Sequence, residues 1–163
     1  MDILAAKVGE ALKSQGLMLA TAESCTGGGV AQAITDMAGS SAWFERGFVT
    51  YSNLAKVQML GVSEATLNQR GAVSEATVRE MVAGALANST AQVALAVSGI
   101  AGPDGGTPDK PVGTVWFAWG GKNGMTLARV HHFAGNRSEV RISAVHIALQ
   151  GVLDLLGQMS ETA

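Results

Sequence analysis

Thr21-Ala22-Glu23-Ser24-Cys25-Thr26-Gly27-Gly28-Gly29 packs three hydroxyls, a thiol and three consecutive glycines between a β-patterned segment (17–22) and a helical one from Val30. A hydroxyl on a tight strand-to-helix turn, followed by small residues, is presented to a substrate beside unpaired backbone N–H groups. Ser24 in that position can attack a carbonyl. The N–H groups of Thr26, Gly27 and Gly28 can then steady the negative oxygen that forms. Cys25 competes as nucleophile, since a thiol is intrinsically better and a helix N-terminus lowers its pKa. Adjacent residues point in different directions, so only one of the two faces the substrate, and packing is the bland reading of Cys25. Glu23 is open between a general acid and a turn residue that satisfies backbone N–H groups.

A serine nucleophile needs a base, because a free hydroxyl reacts weakly at neutral pH. The three histidines offer little. His131 and His132 are neighbours in a β-patterned stretch and face opposite ways, while His146 lies in an apolar helix. Lys56 is the better base. It follows Tyr51-Ser52-Asn53 in a segment otherwise made of Ala55, Val57, Met59 and Leu60. A lysine desolvated by such neighbours can lose its proton near neutrality. The same pattern describes a snorkelling surface lysine.

Two further stretches suit an anion. Ser98-Gly99-Ile100-Ala101-Gly102-Pro103-Asp104-Gly105-Gly106 is a loop whose N–H groups can cradle a phosphate. It matches neither the P-loop nor the dinucleotide fingerprint. Gly135-Asn136-Arg137 puts a guanidinium at a helix N-terminus, a sound place for a phosphate or simply an exposed arginine near a cap.

The elements that must position these groups are legible from periodicity. Leu4, Val8, Ala11 and Leu12 predict a helix closed by Gly16, and 17–22 a buried strand. Val30, Ala33, Ile34 and Met37 predict a second helix closed by Gly39, followed by a β-rich stretch over 43–51. Short helices are expected over 53–60 and 63–68, and a longer one capped by Ser74. The apolar run 91–97 reads as a strand covered on both faces. All three prolines fall in the loop 99–111. Strands over 112–119 and 125–133 flank a glycine-rich turn, and Asn136 with Glu139 forms a capping box for the last helix. Helices interleaved with strands predict one α/β domain over 1–163, with three α/β/α layers around a mixed sheet. Ligands of such sheets sit at the carboxyl ends of the strands, where the four loop clusters fall.

The composition bounds the partners. Hydrophobic residues make up 47% of the 163 and charged residues 15%, well below an average soluble domain, so extensive buried faces and a homo-oligomer are expected. A net charge of −2 without a basic run gives no footprint for nucleic acid or a membrane surface. No apolar stretch approaches the roughly 20 residues of a membrane span. One cysteine suits a reducing cytoplasm, and with three histidines it makes a structural zinc site implausible.

The stretches TAESCTGG, WFERGFVTYSNLAK, GAVSE, SGIAGPDGG, KPVGTVWFA and GNR, in this order over residues 21 to 137, closely resemble the CinA C-terminal domain family. The resemblance is to its stand-alone form. It implies hydrolysis of the carboxamide of nicotinamide mononucleotide to nicotinate mononucleotide and ammonia, in pyridine-nucleotide salvage, with no cofactor and no metal. It also implies a serine–lysine dyad and an acyl-enzyme, with Ser24 as nucleophile, Lys56 as base and Tyr51 assisting proton transfer or orienting the dyad. Substrate contacts are implied for Thr26, Gly27, Gly28, Ser98 and Gly99, with Arg137 on the phosphate. Phe48 or Trp43 is a candidate for the pyridine, against core packing. The alternative is a catalytically inactive nucleotide-binding domain, since relatives also occur fused to a larger competence-damage-inducible protein.

Overall fold

A computed structural model describes residues 1–162; Ala163, the last residue of the expected domain, lies outside the described residues. The elements in order are α1 (Asp2–Ser14), β1 (Leu19–Glu23), α2 (Gly29–Thr35), β2 (Phe44–Val49), α3 (Asn53–Leu60), α4 (Glu64–Arg70), α5 (Glu75–Ala87), β3 (Val93–Gly99), β4 (Thr114–Gly121), β5 (Thr126–His132) and α6 (Arg137–Thr162). Five strands form one sheet in the order β2-β1-β3-β4-β5. β1 pairs parallel with both β2 and β3, whereas β3–β4 and β4–β5 are antiparallel. The mixed sheet and three layers are as the sequence predicts.

Strand alternation assigns each face its partners. Leu19 of β1, Val93, Leu95 and Val97 of β3, and Val115, Phe117 and Trp119 of β4 share a core with α1, α2 and α6. The residues between them, Ala20, Ala22, Ala94, Ala96 and Ala118, meet Val78, Met81, Val82 and Ala85 of α5 and Leu60 of α3. Small side chains on this second face let α5 lie close to the sheet. α3 lies close to α5 in turn, since a Cβ on Gly84 would stand 1.9 Å from the Leu60 carbonyl oxygen.

The caps follow the sequence. Ser52, Ser63 and Ser74 accept from the N–H groups of Ala55, Thr66 and Thr77 at the starts of α3, α4 and α5. At α6, Asn136 Oδ1 accepts from the Glu139 N–H and Glu139 Oε1 from the Asn136 N–H, both at 2.9 Å, closing the capping box. The hairpin turn is tighter than its glycines suggest. Gly120 and Gly121 belong to β4, and the Gly121 N–H donates to the Met125 carbonyl.

One expectation is corrected in α6. Residues Arg137–Ser160 are long and apolar enough, by length and composition, to cross a membrane. Half of that apolar window is buried within the protein, with Val140, Ala144, Ala148, Leu149, Val152 and Leu155 in the core at helical spacing. The helix is apolar because one side lies on the sheet.

Candidate active site

Register brings the ends of five strands to one edge. Glu23 stands level with Val49 and Val97, Gly99 with Val115, and Thr114 with His132. The chain runs from β1 to β2 on one side and re-enters at β3 on the other, so the edge above β1 and β3 is the crevice where such sheets bind ligands.

Ser24 extends β1 by one step, its N–H donating to the Val97 carbonyl at 3.0 Å. Alternation sends Glu23 to the face of α1, α2 and α6, and Ser24 to the face of α3 and α5, level with Ala22. Ser24 is 7% exposed. The turn beyond it is held by Gly27 N–H to the Ser24 carbonyl and Gly29 N–H to the Thr26 carbonyl, both at 2.9 Å. Gly27 and Gly28 adopt φ +58° and +103°, the left-handed region where a Cβ is penalised, so this sharp turn needs glycine there.

Glu23 is fully buried and acts as a cap. Its Oε1 accepts from Thr26 Oγ1 and from the Val30 N–H (2.8 Å), and its Oε2 from the Ala31 N–H (3.0 Å). Of its two expected roles, satisfying backbone N–H groups is the one its contacts fulfil. Cys25 packs into the core shared with α1, α2 and α6, where burial pushes the thiol up to about 11.

α3 delivers Lys56, which is 1% exposed rather than snorkelling. Its Nζ lies 3.1 Å from Ser24 Oγ, 3.0 Å from the Thr50 carbonyl oxygen and 3.4 Å from that of Tyr51. No ion pair among the described residues involves it. Burial therefore holds its ammonium form below the ordinary lysine range.

A cavity of about 300 Å³ opens over this pair. Ser24, Cys25, Lys56, Ser98, Gly99 and Arg137 line it, together with Asn53, Val73 and Asp104. Ser98 is 1% exposed and belongs to the wall of this cavity. Arg137 donates from Nη1 to the Gly102 carbonyl (2.8 Å) and from Nη2 to the Tyr51 hydroxyl (3.1 Å), tying the glycine-rich loop to the opposite rim.

Several expected contacts fall elsewhere. Gly27, Gly28 and the Thr26 side chain do not line this cavity. The Thr26 hydroxyl is committed to Glu23, the Gly27 N–H to the Ser24 carbonyl, and Gly28 caps α2. Tyr51 does line the cavity, but it is 62% exposed, its hydroxyl meets Arg137 and its carbonyl reaches Lys56. Trp43 is buried against Gly9 of α1 and Phe48 against the core of α5, so neither faces the cavity. The histidines are also elsewhere: His131 packs on Phe117 and Phe133, and His132 meets Thr114. Sequence reasoning missed Arg141, which donates to the carbonyls of Cys25 (3.1 Å) and Thr26 (3.2 Å). The signal was its place four residues after Arg137, on the same helical face.

The comparisons agree with this architecture. The model of the CinA C-terminal domain matches residues 1–156. A protein of Escherichia coli (strain K12) named nicotinamide-nucleotide amidohydrolase PncC is 60% identical over 147 residues, covering 90% of this chain and 89% of its own. A protein of the same name from Enterobacter agglomerans is 58% identical over 150 residues, covering 92% of each. The crystal structure of the competence/damage inducible protein CihA from Agrobacterium tumefaciens superposes with a TM-score of 0.93 at 47% identity over 94% of both chains. With its domain match, these relatives and this shared fold, the chain belongs to the CinA C-terminal domain family.

Proposed function

We propose that this protein is a nicotinamide-nucleotide amidohydrolase that converts nicotinamide mononucleotide to nicotinate mononucleotide and ammonia through an acyl-enzyme on Ser24. The names of the 58% and 60% identical relatives support the substrate class. The observation that carries the chemistry is Lys56, buried without a countercharge and 3.1 Å from Ser24 Oγ. A neutral amine has two N–H groups and one lone pair. The Thr50 and Tyr51 carbonyls take the two N–H groups, which leaves the lone pair for the Ser24 hydroxyl.

Ser24 Oγ attacks the carboxamide carbon as its proton passes to Lys56 Nζ. The tetrahedral oxyanion meets the N–H groups of Cys25 and Thr26, neither of which donates to a backbone carbonyl among the described residues. Breakdown breaks the C–N bond, and Lys56 returns its proton to the departing nitrogen, releasing ammonia. Water, deprotonated by Lys56, then splits the ester to free the carboxylate and Ser24. Arg137 holds the phosphate, the Tyr51 hydroxyl braces that guanidinium, and the Tyr51 carbonyl orients Lys56, the second of the two roles expected of Tyr51. Ser98 and Gly99 contact the substrate along the loop wall.

A non-catalytic binding domain is the weaker reading. A buried amine without a countercharge is costly, and ligand binding alone gives no reason to aim it at a serine. Cytoplasmic location and a homo-oligomer remain part of the proposal, the latter testable by light scattering. The deciding experiment measures ammonia released from nicotinamide mononucleotide by purified protein and by Ser24→Ala. Turnover that vanishes in the variant while substrate still binds supports the reading; full turnover in Ser24→Ala refutes it.

A further inference from the structure

Arg141 sits one helical turn beyond Arg137 on α6, yet it is not among the residues lining the cavity over Ser24. Its guanidinium grips the back of the nucleophile turn, with Nε on the Cys25 carbonyl and Nη2 on the Thr26 carbonyl. No carboxylate pairs with it among the described residues. On the other side of the turn, Glu23 holds the Thr26 hydroxyl and the first N–H groups of α2. The segment after Ser24 is therefore clamped between a guanidinium and a carboxylate.

Planarity of the peptide bond carries that grip to the reacting face. A trans peptide holds its N–H opposite its C=O, so anchoring the Cys25 carbonyl aims the Thr26 N–H the other way. Anchoring the Thr26 carbonyl likewise aims the Gly27 N–H, which donates to the Ser24 carbonyl at 2.9 Å. That bond fixes the next plane back and with it the Cys25 N–H. One guanidinium thus sets three consecutive peptide planes. Two of them end in the N–H groups beside Ser24 that donate to no backbone carbonyl among the described residues.

We propose that Arg141 is a positioning residue for the reaction, holding the Cys25 and Thr26 N–H groups where the oxyanion of the tetrahedral intermediate forms. The inference rests on Ser24 being the nucleophile. An oxyanion hole acts through preorganised donors, and freeing the turn restores their reorganisation cost in the transition state while leaving the substrate contacts of Arg137 and Ser98 in place. The effect belongs in kcat rather than KM.

The test compares wild type, Ser24→Ala, Arg141→Met and Arg141→Lys by ammonia release from nicotinamide mononucleotide, with melting temperatures measured alongside. Arg141→Met is expected to lose roughly 10²-fold in kcat, as misplacement by about 1 Å does, with KM nearly unchanged. Arg141→Lys, which can serve a carbonyl but lacks the planar fork, should fall between the two. Arg141 also borders a separate cavity of about 260 Å³ with Met1, Gln32, Asp36 and Ser138, which has room for a guanidinium ion once the side chain is shortened. Millimolar guanidinium should restore part of the kcat of Arg141→Met and leave wild type unchanged. Wild-type kcat in Arg141→Met overturns the inference. So does a loss of kcat that follows the melting temperature and does not respond to guanidinium. Failure of the underlying reading shows separately, as ammonia release by Ser24→Ala.

Discussion

Two carbonyls and one hydroxyl surround the Lys56 amine, and among the described residues no carboxylate pairs with it. Its pKa is lowered by burial, which gives a pH dependence of definite sign. As a base Lys56 works in its neutral form, so kcat/KM should rise with pH along a limb whose midpoint lies below the 10.5 of an ordinary lysine. The stability effect runs the same way. Above 10.5 the amine is neutral folded and unfolded, and its burial costs nothing electrostatically. As pH falls from there to the depressed folded value, the unfolded chain takes up the proton first and stability is lost. Lys56→Met removes that term. Its melting temperature should exceed that of wild type by a margin that widens as pH falls through this window, with turnover abolished. A margin independent of pH would contradict a depressed amine. Cys25, held near 11, stays a thiol at neutral pH and contributes packing.

At the scale of elements, the site depends on how closely helices approach. Lys56 reaches Ser24 because α3 lies against α5, and α5 against the alanine face of β1, β3 and β4. Gly84 is a point of close approach, with the Leu60 carbonyl where a Cβ would go. Gly84→Ala improves helix propensity by about 1 kcal/mol, but the overlap opposes it. Overpacking typically costs about 1–3 kcal/mol, so the variant should melt several degrees lower. Moving α3 also moves Lys56, so kcat should fall more than the folded fraction does. Calorimetry and steady-state kinetics on one preparation check both. Strand alternation is decisive in the same way, since it sends Glu23 to cap α2 and its neighbour Ser24 to meet Lys56.

Across the whole molecule, α6 links the core to the site. Its middle lies on the sheet, where Trp119 Nε1 donates to the Ala148 carbonyl at 2.8 Å, and its first turns carry Arg137 and Arg141. A Cβ on Gly151 would stand 1.9 Å from the Trp119 ring. Gly151→Ala should therefore shift the helix along the sheet, lowering the melting temperature and raising KM through Arg137 while lowering kcat through Arg141. Unchanged kinetics beside a lowered melting temperature would show that the helix ends are uncoupled from its middle.

Sequence by itself determined whatever depends on near neighbours along the chain. The helix and strand periods, the serine caps, the capping box at Asn136 and Glu139, and the glycine turn after Ser24 all follow from side chains within about one turn of each other. The order of the motifs likewise carried the family resemblance and its pairing of Ser24 with Lys56. Only the tertiary structure decided which distant groups meet. Local pattern alone left Lys56 open between base and surface residue, because its burial depends on α5 and on the small residues of a sheet face. The resemblance placed Tyr51 with the dyad, and only the fold puts its carbonyl on Lys56 and its hydroxyl on Arg137; local pattern left Arg141 unnoticed, 116 residues from the carbonyl it holds. The physical reason is that hydrogen bonds and burial between remote residues are fixed by strand order and register, which no short window of sequence contains.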